Sequence, residues 1–175
     1  GRIYEIRDAV YGFVQLDEQE WEAINHPVFQ RLRRIKQLSL TDMVYPGATH
    51  TRLEHSIGVV QMATNIYDSV ISKKRARDLL SSQYRLDERG IDRYRKIIRL
   101  AALLHDVGHA PFSHAGEELM PLKDAVTNKK YDHEEYSNAI IKKYFKDIIE
   151  NHPINANYRI TVEEVTALLG DATRS

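Results

Sequence analysis

The sequence predicts an all-α domain with a short N-terminal β-hairpin, and three observations predict it. Apolar residues recur at three- and four-residue spacing along most of the chain, as in helices with a buried face. Strand-like alternation is confined to residues 3–16. Capping-box pairs, Asp17 with Glu20, Thr51 with Glu54, Asp132 with Glu135 and Thr161 with Glu164, mark where helices begin.

Each element follows in order. Residues 3–16 alternate as two short strands with a turn between Asp8 and Gly12. Asp17 and Glu20 then start a helix through Asn25, because an N-cap acceptor and a carboxylate three residues later satisfy each other's free N–H groups. Pro27 suits the first turn of a second helix, residues 28–38, in which Val28, Leu32 and Ile35 form a core-facing stripe. Arg31, Arg33, Arg34 and Lys36 make that helix basic, and such a run reads first as a solvated face. Residues 43–50, with Pro46-Gly47, read as a loop.

Thr51 with Glu54 opens a long helix to about Ile71. Its Leu53, Ile57, Val60, Met62, Ile66 and Val70 fall on more than one face, which predicts a central, buried helix. Residues 73–90 are charged and read as an exposed helical hairpin or insertion. A helix beginning near Asp92 ends in residues 97–104, read as apolar on every side, with Gly108 and Pro111 closing it. Asp132 caps an amphipathic helix to about Glu150, and Thr161 begins the last one.

A chain of 175 residues suits one domain with a sizeable core. Its 25 basic and 25 acidic residues cancel, so no global positive field indicates nucleic acid as a partner, although a local basic patch stays open. The absence of cysteine excludes disulfides, thiolate-bound zinc and cysteine nucleophiles together. No apolar run reaches the roughly 20 residues that a membrane-spanning helix needs, and the start lacks a signal-peptide pattern. The expectation is a cytoplasmic protein with no membrane partner.

The chemistry concentrates in His105-Asp106-Val107-Gly108-His109 and the Pro111-Phe112-Ser113-His114 that follows. Three histidines and a carboxylate stand directly after the most apolar helix, where desolvating ionisable groups is costly, so packing alone gives no reason for them. Upstream, Arg52-Leu53-Glu54-His55 supplies another imidazole. Imidazole nitrogen with carboxylate oxygen is the donor set of a transition-metal site and points to metal-assisted hydrolysis. Adjacent helical residues point about 100° apart, so His105 and Asp106 share an ion only if it sits near the helix end, between their directions. Arg52, three residues before His55 on the same face, would bring a guanidinium to the same place. Taken singly, each residue has an ordinary reading as a hydrogen-bonded side chain; the constellation departs from it.

His105-Asp106 with an upstream His55 resembles the HD-domain metal-dependent phosphohydrolase superfamily. Longer strings narrow the resemblance to the deoxynucleoside triphosphate triphosphohydrolases, which include an animal SAM-and-HD-domain enzyme and bacterial relatives. These strings are residues 29–38, 45–58 and 105–114 with Tyr131-Asp132-His133-Glu134, and the similarity runs from about Tyr4 to Tyr144. The resemblance implies an all-α HD-domain helical bundle behind the hairpin, with residues 1–175 as a single HD domain in the N-terminal part of a longer protein. It implies His55, His105 and Asp106 as metal ligands. Such a donor set suits manganese, iron or zinc, with magnesium accompanying the substrate's phosphates. A fourth ligand, an aspartate well downstream, has no match, since Asp171 follows Leu168-Leu169-Gly170 in a different context. The expectation is that this ligand follows Ser175.

By the same resemblance, His109 and His114 contact the α-phosphate region, and His133 with Glu134 takes part in proton transfer. Arg52 binds phosphate and Gln37 lies beside the sugar. The implied reaction turns a deoxynucleoside triphosphate (dNTP) into deoxynucleoside and triphosphate. Glu134 equally reads as a surface carboxylate in a first helical turn, and Gln37 as a polar residue at a helix end. Arg33 is implied as a regulatory nucleotide contact in a homo-oligomer. Asn25 stands where the animal enzyme has an acidic residue that reads guanine, a departure that weakens any transfer of guanine-dependent activation. Two other readings stay open: an HD phosphohydrolase of another nucleotide phosphoester, and a non-catalytic module that binds nucleotides or assembles oligomers.

Overall fold

Gly12 lets the chain reverse early, because its φ of +80° lies in the left-handed region that glycine enters without strain. Asp8 prepares the same turn, with Oδ2 accepting the N–H groups of Val10 and Tyr11 at 3.0 and 2.9 Å. In the computed structural model, which describes residues 1–34, 51–108, 122–124, 129–130 and 133–170, the flanking strands β1 (Tyr4–Asp8) and β2 (Gly12–Leu16) pair antiparallel. The pleat sends Val14 and Leu16 into the core and Phe13 outward. The chain is thus predominantly helical behind a short hairpin.

Helix α1 (Glu18–Asn25) begins at the expected capping box, with Asp17 accepting from the Glu20 N–H and Glu20 reaching back to Asp17. The next segment departs from expectation. Helix α2 (Pro27–Gln30) is one turn long and tightens into a 3₁₀ turn (Arg31–Arg34), while residues 35–38 lie outside the described region. Side chains three apart eclipse in 3₁₀ geometry, and the tightening buries Phe29 together with Leu32. Phe29 therefore anchors this segment, and Val28 is only partly buried.

Helix α3 (Arg52–Ile71) starts at the Thr51–Glu54 capping box. It is buried on one face, not several: Leu53, Ile57 and Val60 enter the core, whereas Met62, Ile66 and Val70 are exposed. Helix α4 (Lys74–Tyr84) buries no residue, as the charge-rich sequence predicts. Helix α5 (Glu88–Leu104) begins four residues earlier than expected, because the Asp87 side chain caps it by accepting the Gly90 N–H at 2.8 Å.

Helices α3 and α5 pack along each other and form the centre of the fold. The end of α5 is not apolar on every side. Arg99 is buried and donates to both carboxylate oxygens of Glu20 at 2.9 and 3.0 Å, to Thr64 Oγ1 at 2.8 Å and to the Gln15 carbonyl at 2.7 Å. Buried Lys96 pairs with Asp17. One cationic face of α5 thus ties β2, α1 and α3 together.

A short antiparallel pair, β3 (Leu122–Asp124) with β4 (Lys129–Lys130), is an element the sequence reading lacks. Beyond it, the single helix expected to Glu150 is three segments: α6 (His133–Ile140), a π turn (Ile141–Phe145) and α7 (Lys146–Glu150). The wider π turn carries both Ile141 and Phe145 fully into the core. Asn155 holds the following 3₁₀ turn (Pro153–Ala156) by accepting the Ile160 N–H and donating to the Glu150 and Ile160 carbonyls. Helix α8 (Val162–Ala167) starts at the Thr161–Glu164 capping box. Among the described residues, no helix is long and apolar enough to cross a membrane.

Candidate metal centre

The α3–α5 packing sets two helix ends beside each other. His55 lies in the first turn of α3, and His105 follows the last residue of α5 as its C-cap. The anchor is apolar: Leu100, Leu103 and Leu104 are fully buried, so the residues after them emerge at a fixed place. His55, His105 and Asp106 each offer a donor atom, and these atoms lie within 4.8 Å of one another. Two imidazoles 50 residues apart in sequence, and the carboxylate adjacent to one of them, are thereby brought together.

Local bonds orient the trio. His105 Nδ1 lies 2.6 Å from the Ala102 carbonyl. A carbonyl can only accept, so in the neutral ring Nδ1 carries the proton and Nε2 the lone pair. This is the arrangement in which a metal-ligating histidine is fixed by its other nitrogen. The His55 and His105 rings meet edge to face with centroids 5.5 Å apart. Asp106 is 5% exposed, with Oδ2 at 3.3 Å from Arg52 Nη1 and 3.6 Å from His105 Nε2. Burial pushes the His55 imidazole below its ordinary pKa, against the pull of the Asp106 carboxylate and with help from the neighbouring His105 and the Arg52 guanidinium. His55 is therefore neutral at pH 7, the form that can donate a lone pair.

The donor set fits a divalent metal. Donors sharing one ion through bonds of about 2.1 Å sit at most about 4.2 Å apart, so side chains within 4.8 Å need only a small closure. Nitrogen and oxygen donors suit manganese, iron or zinc alike.

The other expected site residues fall in four groups. Arg52 stands at the trio, and its guanidinium engages Asp106. His133 and Glu134 are the first two residues of α6. Gln37, His109, His114 and Asp171 lie outside the described residues. Arg33 is exposed in the 3₁₀ turn, and Asn25 ends α1 with its amide donating to the Trp21 carbonyl at 2.9 Å. Neither belongs to the trio.

Ser137, which is outside the expected site residues, touches this region. The Gly108 N–H donates to Ser137 Oγ at 3.1 Å in a buried bond between the His105-Asp106 turn and α6. The glycine was the available signal, since glycine marks places where backbone approaches closely.

A family model for the HD domain matches residues 52–169. An uncharacterized protein of Methanocaldococcus jannaschii is 35% identical over 171 residues, covering 95% of this chain and 33% of that protein. Deoxynucleoside triphosphate triphosphohydrolase SAMHD1 of Xenopus laevis is 39% identical over 134 residues, 76% of this chain and 19% of that protein. The Homo sapiens protein of that name is 32% identical over 163 residues, 91% of this chain and 23% of its own length. The crystal structure of a hypothetical protein from Aquifex aeolicus superimposes with a TM-score of 0.63 and 30% identity, covering 97% of this chain and 41% of that one. The chain spans a third or less of the length of the relatives named by sequence.

Proposed function

The chain belongs to the HD-domain family, and from that premise we propose that it is a metal-dependent phosphohydrolase acting on deoxynucleoside triphosphates. The observation that carries the reading is the convergence of His55, His105 and Asp106, with His105 Nδ1 committed to a carbonyl and Nε2 left free. The dNTP assignment draws on the similarity to SAMHD1 proteins over most of this chain.

A divalent ion bound there would supply Lewis acidity toward a phosphoryl oxygen and a nucleophile at neutral pH. Manganese, iron and zinc are the proposed choices, with magnesium on the substrate's phosphates. The chain's own residues do the rest. Arg52 steadies Asp106 through Nη1, while its buried Nε has no hydrogen-bond partner among the described residues. An unsatisfied buried donor is costly, and a substrate phosphate would satisfy it. His109 and His114 are proposed to hold the α-phosphate and Gln37 to sit by the sugar. His133 with Glu134 moves a proton to the leaving 5′ oxygen. A water oxygen bonds to the α-phosphorus, the bond to the 5′ oxygen breaks, and triphosphate departs with the water's oxygen. A regulatory nucleotide contact involving Arg33 and Asn25, homo-oligomerisation and a cytoplasmic location belong to the same proposal, as does a further carboxylate ligand from a longer protein.

Incubating the purified protein with each dNTP and manganese, then separating the products, tests the reaction. Intact triphosphate with deoxynucleoside is expected. Pyrophosphate or free phosphate would overturn the reaction, and cleavage of other phosphoesters with dNTPs untouched would overturn the substrate.

A further inference from the structure

Gly108 and Ser137 meet more closely than any side chain at 108 would permit. A Cβ built on Gly108 would stand 2.5 Å from the Ser137 nitrogen, 2.6 Å from its Cα and 2.6 Å from Oγ. Two of those three atoms are backbone, so relief requires moving the helix itself. The contact is also polar: the Gly108 N–H donates to Ser137 Oγ at 3.1 Å, and Ser137 is 1% exposed. With water excluded, that hydroxyl is the acceptor that keeps a buried N–H satisfied. A close approach and a matched hydrogen bond thus fix one point on α6 against the turn that bears His105 and Asp106.

The position of that point matters. Gly108 is two residues past Asp106, and Val107 between them is fully buried, which leaves the turn little freedom. Ser137 is the fifth residue of α6, and His133 is the first. Residues four apart share a helix face and are separated by about 6 Å along the axis. The helix start carrying His133 and Glu134 is therefore tied, through this contact, to the turn that follows Asp106.

We propose that Ser137, through its buried bond to the Gly108 N–H, is a positioning residue that holds the start of α6, and His133 with it, at the His55–His105–Asp106 centre. The inference rests on the metal-centre reading above. It assigns Ser137 no contact with substrate or metal. It also gives the glycine of the His105-Asp106-Val107-Gly108 turn a role in docking a second element.

The test uses manganese alone, with histidine-labelled protein followed by NMR, His133 being identified by the loss of its signal in His133→Gln. Manganese is expected to broaden the His55, His105 and His133 ring signals in the wild type. In Ser137→Ala, His55 and His105 should broaden as before, because α3 and α5 supply them, while broadening of His133 falls severalfold. Ser137→Thr keeps the hydroxyl and should restore it, and it serves also where Ser137→Ala fails to fold. In turnover, Ser137→Ala should lower kcat by up to about 10²-fold, the scale for a misplaced reacting group, with metal affinity unchanged. A folded Ser137→Ala whose His133 broadens as in the wild type would overturn the proposal and leave the metal reading standing. His133 unbroadened in the wild type, beside broadened His55 and His105, would do the same. Absence of any histidine broadening in the wild type would overturn both.

Discussion

Leu103 and His105 sit two residues apart and divide anchoring from chemistry. Leu103 is fully buried and holds the end of α5, so Leu103→Ala should lower stability by about 2–5 kcal/mol. Denaturant melts would show that loss, and calorimetric titration with manganese should still find binding, since Leu103 carries no donor. His105 gains its orientation from the Ala102 carbonyl one turn earlier. At this scale the sequence was informative about identity and silent about pairing. His105 and Asp106 were readable from residue type and placement after an apolar helix, and His55 as an upstream imidazole that the family resemblance joins to them. Arg52 was expected at the same place, but its bond to Asp106 and the Gly108–Ser137 bond were not legible, because no local pattern encodes them.

At the scale of elements, the same logic explains both success and error. Capping boxes are local, and three of them open helices where the sequence placed them. Asp17 and Glu20 were readable as a cap but not as partners for Lys96 and Arg99, 79 residues away. Burial alone would raise the Glu20 carboxyl, but Lys96 and Arg99 outweigh it and hold the group below the ordinary carboxylate range. A depressed carboxyl contributes stability that is present above its unfolded pKa near 4.5 and is lost as pH falls through the folded value. Removing one partner of a buried ion pair costs about 3–5 kcal/mol, so Glu20→Ala should lose that much at pH 7. The gap from wild type should narrow steadily below pH 4.5, as denaturant midpoints measured across pH would show. The π turn at Ile141–Phe145 escaped because its cause is a core that wants both Ile141 and Phe145, which helical periodicity does not encode.

For the whole molecule, the fold reduces to two long helices whose neighbouring ends present a neutral imidazole, an oriented imidazole and a buried carboxylate. The helical class, the hairpin and the order of helices were legible because amphipathic spacing and caps are written locally. That α3 buries one face was not legible, because the sequence does not say which apolar positions find a partner. The metal-centre reading requires His55, His105 and Asp106 to bind a divalent ion. Any ligand that prefers the folded state stabilises it by mass action, about 2.7 kcal/mol at a hundredfold excess over Kd. Calorimetric titration of wild type and Asp106→Asn with manganese, followed by thermal melts of both, tests the claim most directly. A saturable site and a raised Tm are expected in the wild type, both absent from a variant with unchanged helical content. Wild-type affinity in Asp106→Asn, or a folded wild type without saturable binding, would contradict it.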